Sequence, residues 1–122
     1  MNVEIKKENA AYTIAVTGKL DTSTAPQLEE KLEKEIDPEE IFAGKEDKTE
    51  ISFIMDFAEL GYISSAGLRV ILSFYKKINN KGGKLIIKGA NQTIRETLEM
   101  TGFSNFIIVE QEERECILET EQ

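Results

Sequence analysis

Between Ile51 and Ile78 the apolar residues change their period. Ile51, Phe53, Ile54 and Met55 form a short, nearly continuous apolar run rich in strand formers, as expected for a central strand buried on both faces. Leu68, Ile71, Leu72, Tyr75 and Ile78 then recur at three- and four-residue intervals, which predicts a helix. The junction between them reads Asp56-Phe57-Ala58-Glu59-Leu60-Gly61-Tyr62-Ile63-Ser64-Ser65-Ala66-Gly67. Two adjacent hydroxyls, Ser64 and Ser65, fall where the helix should begin. A strand that runs through a polar turn into a helix is a unit of α/β architecture, and it presents side chains at the end of a sheet.

The other segments fit around this junction. Val3 to Lys7 and Tyr12 to Thr17 alternate apolar and polar residues, predicting an antiparallel hairpin turned at Glu8-Asn9-Ala10-Ala11 and ended by Gly18. Thr24 and Gln27 have capping-box spacing, and Pro26 suits a first helical turn. Leu28, Leu32 and Ile36 mark one helical face that Asp37-Pro38 stops. Residues 37–49 read as a surface loop insertion with one helical turn near Ile41, long for a connection of this kind. Asn79 to Gly83 ends the helix that follows Ser65, with glycine supplying a left-handed residue. Leu85-Ile86-Ile87 is a compact strand, Asn91 caps a helix through Ile94 and Leu98 that Gly102 ends, and Phe106 to Val109 is a last strand. A short helix is expected over Gln111 to Leu118. Strand and helix alternate from the second strand on, which predicts a mostly parallel sheet with right-handed crossovers.

The composition narrows the function. At 122 residues the chain is expected to form one domain, residues 1–122. A net charge of −8 argues against nucleic-acid and anionic-membrane surfaces, which call for basic patches. No apolar run is long enough to insert in a bilayer, and no signal peptide is apparent. A lone cysteine, Cys116, excludes an internal disulfide and fits a reducing, cytoplasmic compartment. There is no histidine, which removes Ser-His-Asp triads, Cys-His dyads and His-based metal sites. Ile63 occupies one glycine position of a nucleophile elbow around Ser65. Asn80-Lys81-Gly82-Gly83-Lys84 lacks the Walker spacing and follows a helix instead of preceding one. The expectation is a non-enzyme without cofactor or metal.

Either of Ser64 and Ser65 would serve as the helix N-cap, a role worth about 1 kcal/mol. One cap needs one hydroxyl, so a second is left over. Ala66-Gly67 would leave the backbone beside it sterically open, and a helix start tolerates an added anion. Asp21 reads, on residues alone, as a turn residue.

At this point the motifs resemble a known family. Gly18-Lys19-Leu20-Asp21 with Thr24-Ala25, then Asp56-Phe57 with Tyr62-Ile63-Ser64-Ser65-Ala66-Gly67-Leu68-Arg69-Val70, then Leu98-Glu99-Met100-Thr101-Gly102-Phe103, together resemble the STAS domain, and within it the bacterial anti-sigma factor antagonists. The resemblance implies an α/β fold: an N-terminal hairpin, then strand-helix units in a sheet of sequential order with helices mainly on one face. It implies binding to an anti-sigma factor that is also a serine kinase of the histidine-kinase ATPase superfamily. That kinase would switch the protein off by phosphorylating Ser65, and a serine phosphatase would reverse the step. Asp21, Thr24, Asp56, Ser64, Ala66, Gly67 and Arg69 would surround that site or contact the partner. Sporulation-type members carry Asp and Gly where this chain has Ser64 and Arg69, which makes Ser64 a competing acceptor. Arg69 would face a phosphate or an acidic side chain of the partner. The alternatives are a non-phosphorylated STAS scaffold or transporter-associated regulatory subunit and, more remotely, a small hydrolase or nucleotide-binding enzyme.

Overall fold

The computed structural model describes residues 1–8, 11–43, 51–105 and 107–110. Among these residues six strands form one sheet: β1 (Asn2–Glu8), β2 (Ala11–Leu20), β3 (Ser52–Asp56), β4 (Leu60–Ile63), β5 (Lys84–Lys88) and β6 (Ile108–Glu110). The helices are α1 (Ala25–Glu35), α2 (Pro38–Phe42), α3 (Ser65–Asn79) and α4 (Gln92–Met100), with a 3-10 turn over Phe103–Asn105. β1 and β2 are antiparallel, as their alternation predicts. β2, β3, β5 and β6 then lie side by side and parallel, in sequential order. Sequential parallel pairing follows from crossovers that carry α1, α3 and α4 between neighbouring strands.

The helices α1 and α3 pack on each other over the sheet face that carries Ile14, Val16, Phe53, Met55, Leu85 and Ile87, all buried. Phe53 meets Phe74 of α3 edge to face at 5.5 Å between ring centroids. The opposite face, with Thr13, Ile54 and Ile86 in register, is only half-buried. The expectation that β3 is covered on both faces is therefore corrected: its apolar run includes Ile54, but helices seal only the Phe53 side. The helical stripe of α3 also shifts. Gly67, Leu68, Val70, Ile71, Phe74 and Ile78 are buried, whereas Leu72 and Tyr75 are half-buried. Apolar residues on several sides of α3 left the choice of face to its neighbours.

Two features at the sheet's end differ from expectation. β2 does not stop at Gly18; it continues to Leu20 through a register shift between Gly18 and Lys19, where glycine adopts φ 94°. That irregularity lets one long strand pair with β3 along its first half and with β4 beyond it. The second difference is β4 itself, a four-residue parallel strand inside what reads as a polar turn.

Other local readings hold. Asn91 caps α4 by accepting from the Ile94 amide at 2.9 Å, and Gly82 takes φ 89° after α3. The expected helical turn near Ile41 is α2, whose N-cap Asp37 accepts from the Glu39 amide at 3.1 Å. It is anchored by Lys81–Glu39 at 2.9 Å and by Phe42 against Phe53, so this part of the insertion is docked and not merely solvated. Its remainder (44–49), the tip of the β1–β2 turn and the helix expected over 111–118 lie outside the described residues. Among the described residues no helix is long and apolar enough to cross a membrane.

Candidate functional site

The parallel strands β2 and β4 end together, and each delivers the chain to a helix start. The Ser64 amide donates to the Leu20 carbonyl at 2.8 Å, which fastens the start of α3 beside the turn before α1. Gly67 sets how closely they approach. A Cβ at Gly67 would lie 2.7 and 2.9 Å from Leu20 Cγ and Cδ2, and 3.1 Å from Ile63 Cγ1. Gly67 is buried and Ala66 half-buried, so this pair does not leave an open backbone as expected. The missing side chain is used inward, to seat α3 on the strand ends.

Ser64 is the N-cap of α3. Its backbone is extended and its hydroxyl oxygen accepts from the Gly67 amide at 3.3 Å, satisfying one of the amides that a helix start leaves unpaired. Ser65 is the first helical residue. It is exposed, and its hydroxyl makes no hydrogen bond among the described residues. The two hydroxyls thus divide: one is structural, the other is free at the surface. Arg69 lies one turn further along, also exposed and without an ion pair among the described residues.

Across from this start, the turn before α1 is closed on itself. Asp21 Oδ1 accepts from the Ser23 amide at 3.0 Å, the Ser23 hydroxyl at 2.8 Å and the Thr24 amide at 3.1 Å. The Ser23 hydroxyl first, and then the Thr24 amide, hold the Asp21 carboxyl below its ordinary pKa, because they stabilise the ionised form. Thr24 Oγ1 accepts from the Asp21 amide at 2.8 Å and, having one proton, donates it to the nearest acceptor, the Lys19 carbonyl at 2.9 Å. The capping box expected between Thr24 and Gln27 is absent: Thr24 is at the N-cap position but its side chain does not cap the helix. The Asp21 carboxylate competes successfully for the Thr24 amide because it is charged, whereas the Gln27 side chain is neutral.

Asp56 ends up apart from the serines. It is in register with Ala15 and Lys88, on the sheet face that α1 and α3 do not cover, and its Oδ1 accepts from the Ala58 amide at 3.0 Å to shape the β3–β4 turn. The structure therefore gathers Asp21, Thr24, Ser64, Ser65, Ala66 and Gly67 at one edge, with Arg69 beside them and Asp56 in a supporting turn. One exposed residue of this edge was not singled out from the sequence. Tyr62 is 50% exposed and stands in register with the exposed Lys19 on β2. Recognising β4 as a strand would have revealed it, since Ile63 points inward and its neighbour must point out.

No group of three His, Cys, Asp or Glu able to hold a metal occurs among the described residues. A groove of about 290 Å³ between α1 and α3, floored by Leu32, Ile36, Val70 and Phe74, includes none of the edge residues.

A family model described as the STAS domain matches residues 2–116. A Listeria monocytogenes protein named anti-sigma-B factor antagonist is 28% identical over 116 residues, 94% of this chain and 93% of that protein. Two solved structures share the fold. An anti-sigma factor antagonist from Mycobacterium paratuberculosis superposes with TM-score 0.71 at 16% identity, over 99% of this chain and 94% of that one. The Bacillus cell fate determinant SpoIIAA, in its phosphorylated form, superposes with TM-score 0.63 at 19% identity, over 98% and 99%.

Proposed function

The chain belongs to the STAS domain family, and from that premise we propose that it is an anti-sigma factor antagonist switched by phosphorylation of Ser65. Unmodified, it binds an anti-sigma factor that is also a serine kinase of the histidine-kinase ATPase superfamily, in the cytoplasm, and so frees a sigma factor. It acts by binding and not by catalysis. The observation that carries this reading is the exposed Ser65 hydroxyl, unengaged among the described residues because its neighbour Ser64 already caps the helix. A structural relative solved in a phosphorylated form supports it.

The chemistry assigns each party a part. The Ser65 oxygen attacks the γ-phosphorus of ATP; the new oxygen–phosphorus bond forms as the bond to ADP breaks. The base that takes the hydroxyl proton is assigned to the kinase, as in protein kinases generally. A serine phosphatase returns Ser65 by hydrolysis.

Magnitudes decide how the switch works. A phosphate adds about −1.5 to −2 charges at neutral pH. At a helix start its favourable local effect is only about 0.3–2 kcal/mol, small beside a fold stability of about 5–15 kcal/mol. Refolding is not expected. Within a docked interface, a mispaired charge costs about 2–5 kcal/mol, which is roughly a thirtyfold to several-thousandfold loss of affinity. The interface effect wins, so the phosphate blocks docking. Titration calorimetry of the kinase partner with Ser65→Ala and Ser65→Asp tests this: the first should bind like the parent chain and the second far more weakly. Equal affinities would favour an unswitched STAS scaffold.

A further inference from the structure

We propose that Arg69 is the internal counter-ion of a phosphate on Ser65, so that modification both adds an anion to the docking edge and withdraws a cation from it. The proposal rests on Ser65 being the modified residue. Ser65 and Arg69 are the first and fifth residues of α3, and both are exposed. Residues four apart on a helix have Cβ atoms about 5–6 Å from each other. Helical side chains slope toward the N-terminus, so the long Arg69 side chain overlies the turn that holds Ser65. The order also matters: an anion preceding a cation by four residues agrees with the helix dipole.

Arg69 is available for this role. Lys31, Lys34 and Lys81 are each held in ion pairs, whereas Arg69 has no partner among the described residues. Its planar guanidinium matches a phosphate in two-pronged fashion, which an ammonium group cannot do. The other charged groups around this edge are Lys19 and Asp21 at the end of β2, the Met1 amino group and Glu59 beside Gly18, and Glu29 of α1, which lines the α1–α3 groove with Val70; Asp56 lies further off in the β3–β4 turn. Oδ1 of Asp21 and Oδ1 of Asp56 are already engaged by turn groups. Neither α1 nor α3 has an acidic residue in its first turn. Lys19, which stands on a strand in register with Tyr62, and the Met1 amino group beside Gly18 are the rival cations; neither lies on the helical turn above Ser65.

The consequence is a switch with two parts. In the unmodified chain Arg69 faces outward and can meet an acidic side chain of the partner. In the modified chain it folds back on its own phosphate. The test installs phosphoserine at position 65 during translation of the full chain, so that no kinase is needed, and follows the phosphate by 31P NMR against pH. With Arg69 present, the second ionisation of the phosphate should fall about 0.3–1 pH unit below its value in Arg69→Gln. Arg69→Lys should lie between them. The Arg69 Nε–H resonance should shift at the same midpoint. An unchanged midpoint in Arg69→Gln, or a shift produced by Lys19→Gln instead, overturns the proposal. Because the phosphate is installed directly, a chain that no kinase modifies would defeat the function proposed above without altering this result.

Discussion

Two helices start at the same edge of the sheet, and they treat their polar groups in opposite ways. Before α1, a carboxylate, two hydroxyls and several amides satisfy one another within four residues, from Asp21 to Thr24. Before α3, a single hydroxyl on Ser64 does the capping and the next one, on Ser65, is left in solvent. The first arrangement is rigid and chemically quiet. The second keeps one nucleophilic oxygen at the surface of a well-fixed backbone. Proximity alone would have grouped all these residues as one site; their hydrogen bonds separate scaffold from reactive group.

The contrast breaks if the scaffold residues prove dispensable. Gly67→Ala should show the largest effect on folding, about 1–3 kcal/mol of destabilisation in chemical denaturation, since Leu20 Cγ must move to admit the methyl group. A gain in stability, as for a solvent-facing helical glycine, would mean that α3 is not tightly seated on β2. Thr24→Ala should cost about 1–2 kcal/mol, because it removes the side-chain bonds to the Asp21 amide and the Lys19 carbonyl. A neutral Thr24→Ala would make the α1 turn no more structured than the α3 start.

A smaller effect sharpens the comparison. The folded chain holds the Asp21 carboxyl below its ordinary value. Its stabilising contribution is therefore present above the ordinary carboxylate pKa and is lost as pH falls through the lower, folded value. Ser23→Ala removes the leading cause, so the Asp21 carboxyl should titrate closer to the ordinary value in carbon-detected NMR. No movement would assign the shift to the Thr24 amide instead.

Much of this was legible in the chain because it depends on near neighbours. The Asn91 cap, the Gly82 turn and the N-terminal strand pair each follow from residues a few positions apart. The helix start at Ser64-Ser65 follows from near neighbours in the same way. What escaped depends on partners far along the chain. Leu60-Gly61-Tyr62-Ile63 is a strand only because β2 bends at Gly18 and offers it an edge. Gly67 reads as open until Leu20 is placed against it. A local competitor also escaped: Thr24 and Gln27 have the spacing of a capping box, but the Asp21 carboxylate, three residues before Thr24, takes its amide. Arg69 belongs to the family motif, yet that it has no ion-pair partner among the described residues shows only in three dimensions.

The central claim is that Ser65, and none of its hydroxyl neighbours, carries the switch. Incubating the chain with ATP and its kinase partner, then locating phosphate by peptide mass spectrometry, tests this directly. The account predicts one phosphate, on Ser65. Phosphate on Ser64, Ser23 or Thr24 in its place, or on no residue at all, would contradict it.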